Sequence, residues 1–268
     1  IEPLGTKFQS AMDERNGNMM ALRRRRKRTV SGRAFHFSQV NFIISFLRVV
    51  NTLIIRHLYY FVTAMNVDKP KQDSSLPAFW NTRYADNTTP WDAGGVPLAL
   101  QRYLSARKDK GSVLIPGCGS GYEVKYFHAQ GWKTLALDFS ELAVKRAQAH
   151  LGELAHLVKL GDFFQHDFSA QKFDLVYERT FLCALPRKLW PQYALRIAQM
   201  LAPGKLLAGF YFFHDDPKGL PFGLHANELE SLLAPYFDLL DDQPVPPQES
   251  ISIMQNRERW QVWQRKII

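Results

Sequence analysis

Cysteine occurs only twice, at Cys118 and Cys183. Two thiols exclude a disulfide framework and a multi-cysteine zinc site; no metal is expected, and a reducing cytoplasm fits this usage. Excess basic charge is missing from most of the chain, although the net charge is +9. Residues 1–64 hold 11 Lys/Arg against 3 Asp/Glu, whereas residues 65–268 hold 23 against 22. A groove that tracks phosphates needs its basic residues on the folded body. No nucleic-acid partner is therefore expected. A long uncharged apolar run is also lacking. Arg48 and Arg56 interrupt the apolar stretch from Phe35 to Val62, leaving Phe37–Leu47 as its longest uncharged piece. A spanning helix needs about 20 apolar residues, and each central Arg costs roughly 2.5–3.5 kcal/mol.

What is present divides the chain in two. Residues 1–75 read as a basic and apolar extension with a polar linker, outside the catalytic fold, and 76–268 as the functional domain. The extension contains Arg23-Arg24-Arg25-Arg26-Lys27-Arg28 ahead of the Phe35–Val62 stretch. With Ile1 opening the chain and Met65 opening the linker, residues 1–64 are expected to be absent from the mature protein. A basic amphipathic helix over 35–62, lying on a membrane surface, is the weaker alternative. The chain is 46% hydrophobic, ample for one sizeable core, and a monomer is expected.

From Ser75 onward a Trp-rich lead-in precedes alternating strand and helix patterns. Strands are expected at Ser112–Pro116, Lys133–Leu137, His156–Leu160, Phe173–Tyr177, Leu206–Phe213, Phe237–Leu240 and Trp260–Arg265. Helices are expected at about Tyr122–Gln130, from the Ser140 cap to His150, at Arg187–Leu201 ending on Pro203-Gly204, and near Ala226–Leu233. Such βαβ units predict an α/β, Rossmann-like fold with a mostly parallel seven-stranded sheet and helices on both faces. Ligands bind such sheets at the carboxyl ends of the strands.

Three elements fall at those ends. The first is Gly117-Cys118-Gly119-Ser120-Gly121, whose glycines let the backbone turn sharply and approach a ligand. Tyr122 replaces the third glycine of a dinucleotide cradle, and the Gly-Lys-Ser/Thr of a P-loop is absent. G-x-G-x-G after a first strand instead fits S-adenosylmethionine (SAM) methyltransferases; a plain βα turn is the bland alternative. The second is Asp138, placed to accept hydrogen bonds from ribose hydroxyls, or else a simple helix N-terminal acid. The third is Gly161-Asp162-Phe163-Phe164, where Asp162 can accept from an adenine amine and Phe163 can frame the ring, or where core aromatics follow an ordinary turn. Three in order weigh more than any one.

Further motifs carry a family resemblance. Pro90-Trp91-Asp92-x-Gly94 follows Trp80 and Tyr84; Leu114 to Tyr122 reads LIPGCGSGY; Asp174 to Pro186 reads DLVYERTFLCALP. From Phe79 to its end the chain resembles the thiopurine S-methyltransferase family, which includes halide and thiol methyltransferases; residues 1–75 fall outside the resemblance. Pro116, where most SAM enzymes carry an acid, and the Phe-Leu-Cys-Ala-Leu-Pro run are its most specific signals. The resemblance implies SAM as cofactor and a small-molecule acceptor such as a thiol, a thiopurine or a halide-type anion. It implies cofactor contacts at Trp80, Tyr84, Trp91, Gly117, Gly119, Asp138, Asp162, Phe163 and Arg179, with the aromatic lead-in as a lid. Where thiopurine methyltransferases often have Glu, this chain has Asp138, and either acid serves a ribose.

Arg179, at the end of the fourth strand, is the candidate catalytic residue, orienting the acceptor and favouring a thiolate. A structural pair with Glu178 or Asp92 is its alternative. His214, Asp215 and Asp216 form a weaker candidate set for acceptor contacts. Cys118 and Cys183 read as small packing residues, and Trp260 and Trp263 as packing for the last strand. A SAM-binding fold directed at a macromolecule or a non-sulfur acceptor is the alternative function.

Overall fold

Apolar runs of four to eight residues become strands buried on both faces when helices cover each side. A computed structural model describes residues 73–267, apart from 169–170, 216–218 and 255, and assigns residues 71–268 to one compact unit. The stretch 35–62 and the basic run before it lie outside the described residues. Among the described residues no helix is long and apolar enough to cross a membrane.

The strands are β1 (Ser112–Pro116), β2 (Lys133–Asp138), β3 (Val158–Leu160), β4 (Phe173–Arg179), β5 (Leu201–Phe212), β6 (Phe237–Pro244) and β7 (Glu258–Arg265). They form one sheet in the order β3-β2-β1-β4-β5-β7-β6. The first five run parallel, and β7 lies antiparallel between β5 and β6. The helices are α1 (Pro77–Ala85), α2 (Leu98–Ser105), α3 (Tyr122–Ala129), α4 (Glu141–Leu151), α5 (Trp190–Met200) and α6 (Glu228–Leu233).

Side-chain alternation along the strands makes two cores. Leu114, Val176, Leu207 and Tyr211 pack against Tyr193 and Ile197 of α5 and Leu229 and Leu233 of α6. Val113, Ile115, Leu175, Tyr177 and Phe210 pack on the opposite face, with Leu104 of α2, Phe127 of α3 and Ala147 of α4. Trp263 belongs to the first core and Trp260 to the second. Ser140 caps α4 as expected, its hydroxyl accepting from the Ala143 amide at 3.2 Å.

Several boundaries differ from expectation: β4 runs on to Arg179 and β6 to Pro244, and β7 starts at Glu258. A 3-10 turn at Gly152–Leu157 occupies the start assigned to the third strand, so β3 keeps only three residues. The helix expected to end on Pro203-Gly204 stops at Met200. A residue before proline is driven out of helical space, and β5 is already extended at Leu201, which pairs with Phe173. Pro203-Gly204 then falls within a register shift between the Phe173–Leu201 and Leu175–Leu206 pairs. Helix α2 was not anticipated; two buried leucines, Leu100 and Leu104, four residues apart, hold it to the core.

Candidate active site

The order of the sheet reverses between β1 and β4, and the loops leaving their carboxyl ends diverge there. A cavity of about 750 Å³ opens at that point. Its wall includes all nine candidate site residues, contributed by the lead-in and by the ends of β1 to β4.

The glycine turn forms the floor. Gly117, Gly119 and Gly121 have φ of +59°, +53° and +75°, a region in which a side chain is strained. A Cβ on Gly117 would come within 2.5 Å of the Phe181 ring, and one on Gly119 within 2.9 Å of the Tyr84 hydroxyl. The cradle therefore requires glycine at both positions.

Asp138 ends β2 beside that turn. Its Oδ2 accepts from the Gly119 amide at 3.0 Å and its Oδ1 from the Ser140 amide at 2.9 Å. Each carboxylate oxygen keeps accepting capacity for a hydroxyl. Burial raises its pKa to about 6, although the two amide bonds oppose the shift. Asp162 after β3 accepts from the Phe164 amide at 2.8 Å and from Gln165 at 2.9 Å, with Phe163 buried beside it. Two carboxylates at successive strand ends, a bare backbone floor and aromatic walls fit an adenosine with a charged tail.

The lead-in closes the cavity by side-chain contact. Trp80 and Tyr84 lie one turn apart on α1, and Trp91 folds back edge-on to both, with centroids at 5.3 and 6.0 Å. The three rings share a face through a turn at Thr89-Pro90, not along one continuous helix. Helix α1 is itself anchored: Asn81 accepts from the Ser140 hydroxyl at 2.7 Å and the Leu142 amide at 3.3 Å. Arg146 of α4 donates to Asn87 at 2.6 Å.

Arg179 ends β4 on the face of Tyr177 and Phe210, with its guanidinium 4.0 Å from the Phe210 ring centroid. Its Nη1 is buried and has no hydrogen-bond partner among the described residues. Neither suggested structural partner takes it. Asp92 accepts from Ser120 at 2.6 Å and from the Gly94 amide at 2.8 Å. Glu178 points to the other sheet face, towards Tyr193. A buried guanidinium nitrogen with no hydrogen-bond partner, facing a cavity, can take an anionic or acceptor atom of a ligand.

His214 and Asp215 do not join this constellation. They line a separate hollow of about 510 Å³ with Arg257 and Arg259, and Asp216 lies outside the described residues. Strand β5 extends two residues past the end of β4, since Arg179 pairs with Phe210, and its terminal loop opens elsewhere. Cys118 and Cys183 are buried and burial pushes both thiols up, which keeps them neutral.

Sequence reasoning missed Glu123, in the first turn of α3, whose carboxyl faces the cavity. Burial raises its pKa, the Arg179 charge lowers it, and Tyr177 donates to it at 3.5 Å. An acid in a first helical turn is normally a partner of the helix dipole, which hides such a role. Also missed was the far wall, where Leu185, Leu189, Leu220, Pro221 and Met254 face the cavity.

The sequence profile of the thiopurine S-methyltransferase family (TPMT) matches residues 76–266. A probable thiol methyltransferase 2 of Arabidopsis thaliana is 32% identical over 162 residues, covering 58% of this chain and 71% of that protein. Thiocyanate methyltransferase 1 of Brassica oleracea is 28% identical over 193 residues, covering 69% and 84%. A thiopurine S-methyltransferase of Vibrio cholerae is 29% identical over 176 residues, covering 58% and 80%. Among solved structures, the 1,6-didemethyltoxoflavin-N1-methyltransferase of Burkholderia thailandensis, with S-adenosylhomocysteine bound, superposes with a TM-score of 0.59. It shares 21% identity and covers 71% of this chain and 87% of that one. The fold is thus the Rossmann-like fold of SAM methyltransferases.

Proposed function

The chain belongs to the thiopurine S-methyltransferase family, and from that premise we propose that it methylates the sulfur of a thiol with an uncharged, apolar body. It is a SAM-dependent methyltransferase; the acceptor is the part proposed. The observation that carries this reading is the buried, unpartnered Nη1 of Arg179 in a cavity whose far wall is Cys183, Leu185, Leu189, Leu220, Pro221 and Met254. One cation suits one anionic atom, and an apolar wall suits the rest of the molecule.

When bound, SAM supplies an electrophilic methyl group on a sulfonium and leaves as a neutral thioether that needs no proton. In this reading Asp138 accepts from the ribose hydroxyls and Asp162 from the adenine amine, with Phe163 against the ring. Gly117 and Gly119 keep the floor free of side chains. The rings of Trp80, Tyr84 and Trp91 attract a sulfonium by about 0.5–2 kcal/mol and exclude water from the transfer. Arg179 stabilises the thiolate, so a thiol of pKa about 8.5 reacts at neutral pH without a strong base. Alignment of acceptor, methyl and sulfur is then the main task of the fold.

Labelled SAM and a panel of aryl thiols, alkyl thiols, thiopurines, iodide and thiocyanate test the proposal. Apolar thiols are expected to exceed the inorganic anions in kcat/KM by at least ~10-fold. Faster methylation of iodide or thiocyanate would refute the apolar-bodied acceptor and favour a bare anion at Arg179.

A further inference from the structure

The transfer scheme leaves Glu178 without a task, although it is among the most buried acids in the described fold, at 1% exposure. Its Oε1 accepts from the Phe181 amide at 2.9 Å and the Leu182 amide at 3.3 Å. Its Oε2 accepts from the Leu182 amide at 3.3 Å and the Tyr193 hydroxyl at 3.2 Å. Two backbone amides and a phenol thus converge on one carboxylate. Between the acid and those amides stands Thr180 with φ +56°, a conformation that a β-branched residue adopts only when its surroundings enforce it.

That turn carries two cavity residues. Arg179 leaves it on one face of the sheet, and the Phe181 ring fills the space that a Cβ on Gly117 would need. Gly209 pairs with Glu178 in register, and a Cβ there would collide with the Glu178 backbone and stem. The neighbouring strand therefore makes room for the acid where the turn requires it.

We propose that Glu178 is a positioning residue whose ionised carboxylate clamps the Thr180–Leu182 turn and so sets where Arg179 and Phe181 stand in the cavity, coupling the site to one proton. The coupling to catalysis rests on the methyl-transfer reading of this cavity; the clamp itself does not.

The donors around Glu178 supply the reason. An ionised carboxylate accepts from all three groups. Protonation makes one oxygen a donor that the Phe181 and Leu182 amides cannot accept and that only the Tyr193 hydroxyl can take, by giving up its own donation to the acid. Burial favours that protonated form and raises the pKa to about 7, against the two amides, the Tyr193 hydroxyl and the Arg179 charge. The other titratable groups facing it are Tyr177 on its own strand, Cys183 in the turn, Tyr193 on α5 and Tyr211 on β5. Burial pushes all four up, so they stay neutral, and the clamp's charge changes at Glu178 itself.

Amide NMR of the full chain without ligand, between about pH 5 and 9, reads the clamp directly. The Phe181 and Leu182 amides are expected to move together with one midpoint, and Glu178→Gln to abolish that movement. Tyr193→Phe removes one donor while keeping the ring, and is expected to raise the midpoint even if Glu178→Gln fails to fold. Calorimetry with S-adenosylhomocysteine should show a roughly fivefold loss between about pH 8 and 6.5 that Glu178→Gln lacks, while any further loss below about pH 6, where Asp138 takes up its proton, persists in that variant. Amides that do not titrate in this range, or a midpoint unmoved by Tyr193→Phe, would overturn the proposal. Intact amide titration with no methyl transfer to any thiol would instead overturn the assigned acceptor and leave the clamp standing.

Discussion

Asp138 is the residue where burial and the proposed function pull in opposite directions. Its pKa is raised to about 6, yet in the proposed ribose contact it must be ionised to accept from both hydroxyls. Asp138→Ala should weaken SAM binding by roughly 1.5–3 kcal/mol, the scale for hydrogen bonds to a charged group. In the native protein, affinity should also fall as pH drops through about 6 and the carboxylate takes up a proton. Calorimetry across that range checks both, and a folded Asp138→Ala protein with unchanged affinity would exclude the ribose assignment. Arg179 is expected to yield a different signature, because its proposed contact is with the acceptor. Arg179→Met should lower the rate and move the pH–rate profile upward, towards the free thiol's pKa, with a smaller effect on SAM binding. An unmoved profile, for an acceptor whose ionisation limits the rate, removes Arg179 from the chemistry.

Among the elements, α1 and the turn after it share the proposed lid role unequally. Helix α1 is tied to α4 and its cap through Asn81 and through Arg146, which donates to the Tyr84 carbonyl at 3.3 Å, so it acts as the fixed half. Residues 86–95 carry Trp91 and are held at their start by Arg146 to Asn87, and beyond it by Asp92 to Ser120, by local turns and by ring contacts. Few backbone bonds hold that segment, and it should open most readily when the cavity is empty. Limited proteolysis between Leu76 and Gly95 should therefore cut first within 86–95, and slow markedly when S-adenosylhomocysteine is added. Asn81→Ala should extend the cutting into α1. Equal cutting with and without ligand would remove the lid.

At the scale of the molecule, charge and protons can be set against stability. Residues 71–268 form a compact unit, and the basic excess lies before it. We propose that a chain beginning at residue 71 folds and binds SAM within about twofold of the whole chain; insoluble or non-binding protein would refute this. Within the unit, Asp138, Glu178 and Glu123 have folded pKa values above their ordinary ones. Folding therefore favours their protonated forms, and the stability that Asp138 and Glu178 contribute is lost as pH rises from the ordinary carboxylate range through about 6 to 7, with Glu123 acting in the same direction. Asp174 and Glu228 are held low by Lys205 and Arg187, so their contribution is lost as pH falls below the ordinary carboxylate range. The ligand-free protein should melt highest near pH ~5 and lower at pH ~8. A melting temperature that rises over that interval would contradict the burial of these acids.

Chain order alone determined the βαβ succession, the glycine turn, and the acids at the ends of β2 and β3, because each depends on spacing within a short segment. Asp138 and Asp162 were legible for that reason: an acid after an apolar strand has little freedom of placement in a parallel sheet. The resemblance added the aromatic lead-in, whose rings then met as expected. Tertiary structure alone decided what faces Arg179. The far wall comes from residues up to Met254, and no periodicity links them to the fourth strand. It also decided that Glu178 and Arg179, adjacent in sequence, serve opposite faces of the sheet, one holding a turn and the other facing a cavity. The positive φ of Thr180 has no sign in its residue type, since a β-branched side chain argues against it. His214 misled for the complementary reason: a strand-end position does not say how far the strand extends past its neighbours. Local spacing fixes which side chains point the same way, but only packing brings distant segments to one point and leaves a guanidinium nitrogen there without a hydrogen-bond partner.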